Sequence, residues 1–240
     1  MAVQLSKTPK VRLTKGAKVS LTKDGESSSE KLHKVYFGAN WGSIKEYREV
    51  KTKKGGFLGI FGGEEVIEKK VVGSEAVDLD ASILLYDENY NNFDVVYFGH
   101  KVSNCGAISH SGDDLTGDEG DPDENDNEVI SIDLDRINPR AKYLVAILNS
   151  YKHQTFDEIP YAGLRIFTGK NPNRVDEVLA AYKLEGVPEF KGKEAIVLGY
   201  FYKTKSGWWD FKADGTTSKE KSIGNISKGS ALSVIKNHRE

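Results

Sequence analysis

Eight segments of the chain are rich in β-branched and aromatic residues, and most of them alternate apolar with polar positions. This pattern predicts strands, because a strand places successive side chains on opposite faces. We therefore predict an all-β protein, a two-sheet β-sandwich with an inserted β-hairpin and short helices near the C-terminus. The predicted strands span residues 31–41, 77–87, 93–101, 128–134, 142–150, 161–168, 194–205 and 208–213.

The N-terminus carries a short repeat, VQLSK, VRLTK and VSLTK, each copy eight residues after the last. This period, with Pro or Gly in each gap, predicts short paired strands at the edge of a meander. Helix signals are few: we expect a short helix over residues 174–182 and a C-terminal one within 219–238. At 240 residues the chain fits one large β domain, so we treat 1–240 as a single domain.

Residues 43–73 are expected to form the inserted hairpin, because two charged, strand-like segments flank the glycine-rich sequence GGFLGIFGG. Its apolar tip contains Phe57, Leu58, Ile60 and Phe61. These side chains could contact a partner, including a membrane-associated one, or fold back on the body of the protein. The sequence leaves both alternatives open.

Acidic residues are concentrated in one part of the chain. Residues 102–135 hold eleven Asp or Glu and no Lys or Arg, and nine of these acids fall within 113–128. Such a cluster repels itself unless it stays mobile in water or holds a hard cation among its oxygens. Gly112, Gly117 and Gly120 allow tight turns that direct carbonyl oxygens inward. The composition therefore favours a calcium-binding loop.

A second acidic signal, VDLDAS, stands at the start of a predicted strand. Asp78, Asp80 and Ser82 share one face of that strand, while Leu79 and Ala81 share the other. The apolar face should enter the core, which fixes two carboxylates on the outer side, about 7 Å apart along the strand. Calcium takes more oxygens than this motif offers, so we expect the loop at 112–128 to complete the site. No EF-hand pattern is present in this segment.

Several motifs in residues 11–41 and 77–215 occur in the order and spacing of a known family: LTKGAKVSLTK, VYFGANW, VDLDAS, HSGDDLTGD, EVISIDL, HQTF and AIVLGYFYK followed by GWWDFKA. In these motifs the chain resembles the TerD-type tellurite-resistance and stress-protein family. The resemblance implies a calcium-binding β-sandwich without a known catalytic centre, linked to tellurite resistance and other stresses.

The resemblance also implies a set of metal-site residues. The family's motifs fall on the strand start, on the HSGDDLTGD turn and on the acid that closes the loop. The acidic run is longer here than in the family and contains Pro122, which adds further candidates within it. The candidate calcium-site residues are Asp78, Asp80, Asp113, Asp114, Thr116, Gly117, Asp118, Asp121, Asp123 and Glu128.

Two other function classes remain as alternatives. A metal-dependent hydrolase would use Asp78 and Asp80 with a loop carboxylate, but the histidines show no ligand spacing and no nucleophile motif is present. His110, beside the loop, is expected to pack or hydrogen-bond there. A calcium-dependent carbohydrate- or surface-binding module would use exposed aromatic side chains, for which the candidates are Trp41, Trp208 and Trp209.

The expected function is therefore that of a non-enzymatic, calcium-dependent interaction scaffold in a stress response, with other proteins of a stress-response complex as partners. Nucleic acid is not expected, because the isoelectric point is near 6.3 and glutamates balance the lysines of the hairpin. Cytoplasmic localisation is expected, because the sequence contains neither an apolar run of about twenty residues nor a signal peptide.

Overall fold

Two six-stranded sheets pack against each other in the part of the chain that the structure, a computed structural model, describes: residues 9–22, 31–54, 64–120 and 125–238. They confirm the predicted β-sandwich. In spatial order the first sheet contains β1 (Val11–Arg12), β12 (Arg174–Lys183), β11 (Ala162–Asn171), β3 (Lys34–Trp41), β9 (Glu128–Asp133) and β8 (Ile108–His110). The second contains β2 (Lys18–Ser20), β14 (Trp209–Thr217), β13 (Ala195–Lys203), β10 (Tyr143–Ser150), β6 (Leu79–Tyr86) and β7 (Asn92–Val96).

The alternation along β6 divides its side chains between two apolar layers. Leu79 and Ala81 belong to the large core between the sheets. Leu84, on the opposite face, belongs to a separate core that includes residues of the C-terminal helices. These helices, α1 (Ile223–Lys228) and α2 (Ser230–Lys236), confirm the prediction of short helices near the C-terminus and cover the outer face of the second sheet.

The helix predicted for residues 174–182 is wrong, because this segment is strand β12. The segment contains good helix formers, including Leu179, Ala180 and Ala181. However, β12 pairs with β11 on one side and with β1 on the other, and these three residues are buried. Helix propensity differs by at most about 0.7 kcal/mol per ordinary residue, so strand pairing and burial outweigh it.

The second and third N-terminal repeats do not pair with each other in the described structure. β1 runs parallel to β12 in the first sheet, whereas β2 runs antiparallel to β14 in the second, so the prediction of a meander edge is wrong. These two copies of the repeat therefore belong to different sheets, and the chain passes from the first sheet to the second between them. The first copy, at residues 3–7, lies outside the described residues. The strand predicted for 93–101 is shorter than expected, since β7 ends at Val96 and a turn follows.

The predicted hairpin at 43–73 is confirmed by β4 (Ile44–Lys54) and β5 (Glu64–Glu75), which form an antiparallel two-stranded sheet of their own. The tip that holds Phe57 and Phe61 lies outside the described residues, so its predicted contact with a partner or membrane stays a prediction. Within the described ranges, no helix is both long enough and apolar enough to cross a membrane.

Candidate metal centre

Asp78 and Asp80 lie at the start of β6 on the face that also carries Leu84, as the alternation predicts. They are nevertheless almost fully buried, with 3% and 2% of their surfaces exposed. The acidic loop, which we define as residues 111–127, runs beside them in its described part, and its Thr116 carbonyl accepts a 3.0 Å hydrogen bond from Val77 N–H. The loop therefore covers carboxylates that the strand alone would expose.

Asp113 brings a third carboxylate from the loop to the strand start. One oxygen from each of Asp78, Asp80 and Asp113 lies within 4.8 Å of the other two, so the three groups could hold a metal ion. Asp113 is exposed, whereas the other two are buried. The strand start and the loop therefore both contribute carboxylates to this cluster.

Glu128, the first residue of β9, reaches across from the first sheet to the same place. Its side chain is fully buried, and its Oε2 accepts a 2.8 Å hydrogen bond from Ala81 N–H on β6. This N–H is available because β7 pairs only with residues 83–86 and leaves the edge of β6 open at Ala81. Within the described part of the chain, Glu128 Oε1 and Asp80 Oδ1 are buried and accept no hydrogen bond. Buried oxygens of this kind normally have a partner.

His110 fits the expectation that it would pack or hydrogen-bond beside the loop. Its Nδ1 accepts a 3.1 Å hydrogen bond from Gly112 N–H, so the ring proton of the neutral tautomer is on Nε2. That nitrogen lies 3.3 Å from Glu128 Oε2. The two buried side chains therefore lie close together, but Nε2 forms no hydrogen bond in the described structure.

The electrostatics of the cluster oppose ionisation. Burial, followed by the charges of Glu128, Asp78 and Asp113, raises the pKa of Asp80 to about 8. Burial and the nearby Asp113 raise the pKa of Asp78 to about 6. Burial also raises the pKa of Glu128 above its ordinary value. Without a cation these groups therefore lose their protons at a higher pH than isolated carboxylic acids do, and a bound cation would oppose that shift.

Asp114, Thr116 and Gly117 stabilise the turn of the loop. Asp114 Oδ1 accepts hydrogen bonds from the N–H groups of Thr116 and Gly117, and Oδ2 accepts one from the Asn127 side chain. Burial alone would raise the pKa of Asp114, but these bonds hold it below the ordinary value. Gly117 has φ +68°, and a Cβ there would lie 2.7 Å from Trp41. Asp114, Thr116 and Gly117 therefore determine the backbone conformation of this turn.

Asp118 holds the far end of the turn against β3. Its backbone N–H donates to the Trp41 carbonyl, and its carboxylate accepts hydrogen bonds from Tyr161 at 2.5 Å and from Asn127 at 3.0 Å. Asn127 also accepts a 2.8 Å hydrogen bond from Trp41 N–H. Both oxygens of the Asp118 carboxylate thus accept hydrogen bonds from neighbouring side chains. Asp121 and Asp123 lie outside the described residues.

Several site residues were not found by sequence reasoning. Asn149 on β10 donates a 3.2 Å hydrogen bond to Asp80 Oδ2, and its own Oδ1 is buried with no hydrogen bond in the described structure. Arg165 on β11 forms a buried 2.9 Å ion pair with Asp126, which fixes the end of the loop. In the sequence, Asn149 and Arg165 each stand out as a polar residue within an otherwise apolar strand. That pattern does not show which acidic residue each of them contacts.

The comparison with known proteins agrees with this architecture, because residues 10–228 match the TerD domain. The chain belongs to the TerD family. Tellurium resistance protein TerZ of Serratia marcescens is 32% identical over 210 residues, which cover 87% of this chain and 92% of that protein. Stress response protein SCP2 of Bacillus subtilis (strain 168) is 28% identical over 233 residues, which cover 94% of this chain and 98% of that protein.

A solved structure shows the shared TerD fold. A homologue of telluride resistance protein (TerD) from Streptomyces coelicolor A3(2) superimposes with a TM-score of 0.56 at 18% identity, covering 82% of this chain and 95% of that chain. The family resemblance expected from the motifs is therefore confirmed.

Of the three tryptophans, this TerD chain leaves only Trp208 partly exposed, since Trp41 and Trp209 are buried. Trp208 donates a 3.2 Å hydrogen bond to the Leu21 carbonyl, and its ring lies beneath the Lys31 ammonium group. Among the tryptophans considered for a carbohydrate-binding surface, only Trp208 is therefore accessible, and it already has protein contacts.

Proposed function

We propose that this TerD chain binds calcium between the strand start and the acidic loop. Two buried carboxylate oxygens that accept no hydrogen bond in the described structure, Asp80 Oδ1 and Glu128 Oε1, are the observation that carries the proposal. Leaving such oxygens unpaired is costly, and a cation would satisfy both. Asp78, Asp80, Asp113 and Glu128 would hold the ion. This all-oxygen set is the kind that calcium prefers.

Calcium binding would act on the conformation of the loop. An ion shared by Asp78 and Asp113 would join the strand start to the loop, and its charge would offset the burial and the mutual repulsion that raise the pKa values. The ordered loop would then present a fixed surface to other proteins. Relatives are named for tellurium resistance and stress response, and we propose a non-enzymatic scaffold role of that kind, in the cytoplasm, for this chain.

Isothermal titration of EDTA-treated protein with calcium tests the site. We expect one or more binding events with a dissociation constant on the order of 10⁻⁷ to 10⁻⁵ M, the range of cytosolic sensors. Asp80→Asn should weaken binding, whereas Asp135→Asn, an exposed acid that pairs with His33 outside the cluster, should not. Absence of calcium heat together with an unchanged melting temperature would overturn the proposal.

Hydrogen exchange tests the proposed ordering of the loop separately. Calcium should slow amide exchange in residues 111–120 and leave α1 and α2 unchanged, because these helices pack on Leu84 and Tyr86, towards the opposite end of β6 from Asp80. Binding without added protection in the loop would support a calcium site but reject the scaffold mechanism.

A further inference from the structure

The ribbon, which we define as β4 and β5, has two long strands that pair only with each other in the described structure. The strands contain 11 and 12 residues. A two-stranded hairpin without further packing is marginally stable in water. Contact with a further surface would therefore stabilise the ribbon.

One face of the ribbon carries exposed apolar side chains among charged ones. Tyr47 lies directly opposite Val71, and Ile67, four residues before Val71 on β5, points to the same side because a strand alternates with a period of two. Tyr47, Ile67 and Val71 are 59%, 58% and 56% exposed. Neighbouring exposed apolar residues on one face are typical of an interaction surface.

The charged residues on the same face are arranged so that a second copy of the chain would complement them. Glu49 lies opposite Lys69, between the Tyr47–Val71 pair and Ile67, and both charged residues are exposed. If two ribbons pack face to face about a two-fold axis parallel to the strands, β4 of one copy lies over β5 of the other. Glu49 then faces Lys69 of the second copy, and the reverse contact forms as well. Tyr47 and Val71 meet in the same reciprocal way, so the face is self-complementary.

We propose that this face of the ribbon is a homodimerisation surface whose occupant is a second copy of the chain. The apolar residues supply the contact area, and the reciprocal Glu49 and Lys69 pairs select the register and the partner. The surface lies on a different sheet from the carboxylate cluster, and none of its residues belongs to that cluster, so we expect dimerisation without calcium.

Sedimentation velocity of the full chain at micromolar concentrations tests the proposal. Wild type should sediment as a dimer, with and without calcium. Ile67→Lys combined with Val71→Lys should yield a monomer whose circular dichroism keeps the strand signal. A monomeric wild type would overturn the proposal. If that monomer pelleted with vesicles containing anionic lipid, the face would instead be a lipid-binding surface.

Charge exchange makes the test specific. Glu49→Lys alone and Lys69→Glu alone should each weaken dimerisation by roughly tenfold or more, because like charges then face each other. Mixing the two variants should restore a dimer, since each supplies the charge that the other needs. The double variant should also dimerise. Glu68→Lys makes the same charge change opposite Val50 on the other face and should have no effect. Failure of the mixture to dimerise would reject this interface.

Discussion

Glu128 accepts a 2.8 Å hydrogen bond from the backbone N–H of Ala81, and this contact joins the two sheets at the carboxylate cluster. The donor lies on an edge of β6 that β7 does not cover. The other oxygen of Glu128 is buried and accepts no hydrogen bond in the described structure. One side chain therefore closes a strand edge and offers an oxygen to a cation.

Glu128→Gln should separate these two roles. The amide oxygen can still accept the hydrogen bond from Ala81, while removal of the charge lessens the repulsion that contributes to the raised pKa of Asp80. We expect an equal or higher melting temperature in EDTA and a calcium affinity lower by roughly 10–100-fold, measured by calorimetry. Unchanged affinity would show that Glu128 is only structural.

The pH dependence of stability should change with calcium. The folded pKa values of Asp80, about 8, and Asp78, about 6, lie above the ordinary value of 3.8. Because the folded state binds these protons more tightly than the unfolded state, the stabilisation is complete below about pH 4 and is lost as the pH rises towards about 8.

The melting temperature in EDTA should therefore fall between about pH 5 and pH 8, and Asp80→Asn should flatten that curve. Calcium affinity should rise over the same range, because the ion displaces protons from the carboxylates. Scanning calorimetry at several pH values provides the measurement. An EDTA curve that is as steep for Asp80→Asn as for wild type would show that Asp80 is not responsible.

The sequence predicts the parts of this molecule that depend on local pattern. Alternation predicted the face of Asp78 and Asp80, and the concentration of acidic residues with turn-forming glycines predicted the loop. It could not show that Asn149 contacts Asp80, because 69 residues separate them and only the pairing of β6 with β10 brings them together. β12 was missed for the same reason, since its neighbours in the sheet decide its conformation.

Gly117→Ala should disturb the loop, whereas Gly120→Ala should not. Gly117 has φ +68°, and a Cβ there would contact the Trp41 indole at 2.7 Å, while a Cβ at Gly120 would meet nothing within 4 Å. A strained backbone of this kind costs on the order of 1–3 kcal/mol. We expect Gly117→Ala to lower both the unfolding free energy and the calcium affinity. Equal behaviour of the two variants would show that the turn does not depend on its approach to Trp41.

The buried ion pair between Arg165 and Asp126 should contribute to both stability and calcium binding. Their side chains are 4% and 2% exposed, and Arg165 Nε lies 2.9 Å from Asp126 Oδ2. Arg165→Met would remove the guanidinium and leave a buried carboxylate, which costs about 3–5 kcal/mol. Urea unfolding should show this loss, and calorimetry should show weaker calcium binding because Asp126 lies at the end of the acidic loop.

The double variant Arg165→Met with Asp126→Asn should recover much of the unfolding free energy, since it no longer buries an uncompensated charge. Lys183→Met provides the control: its 2.7 Å ion pair with Glu185 involves a lysine side chain that is 63% exposed, so we expect a loss below about 1 kcal/mol. If the double variant is as unstable as Arg165→Met, the loss comes from packing of the arginine stem rather than from the charge of Asp126.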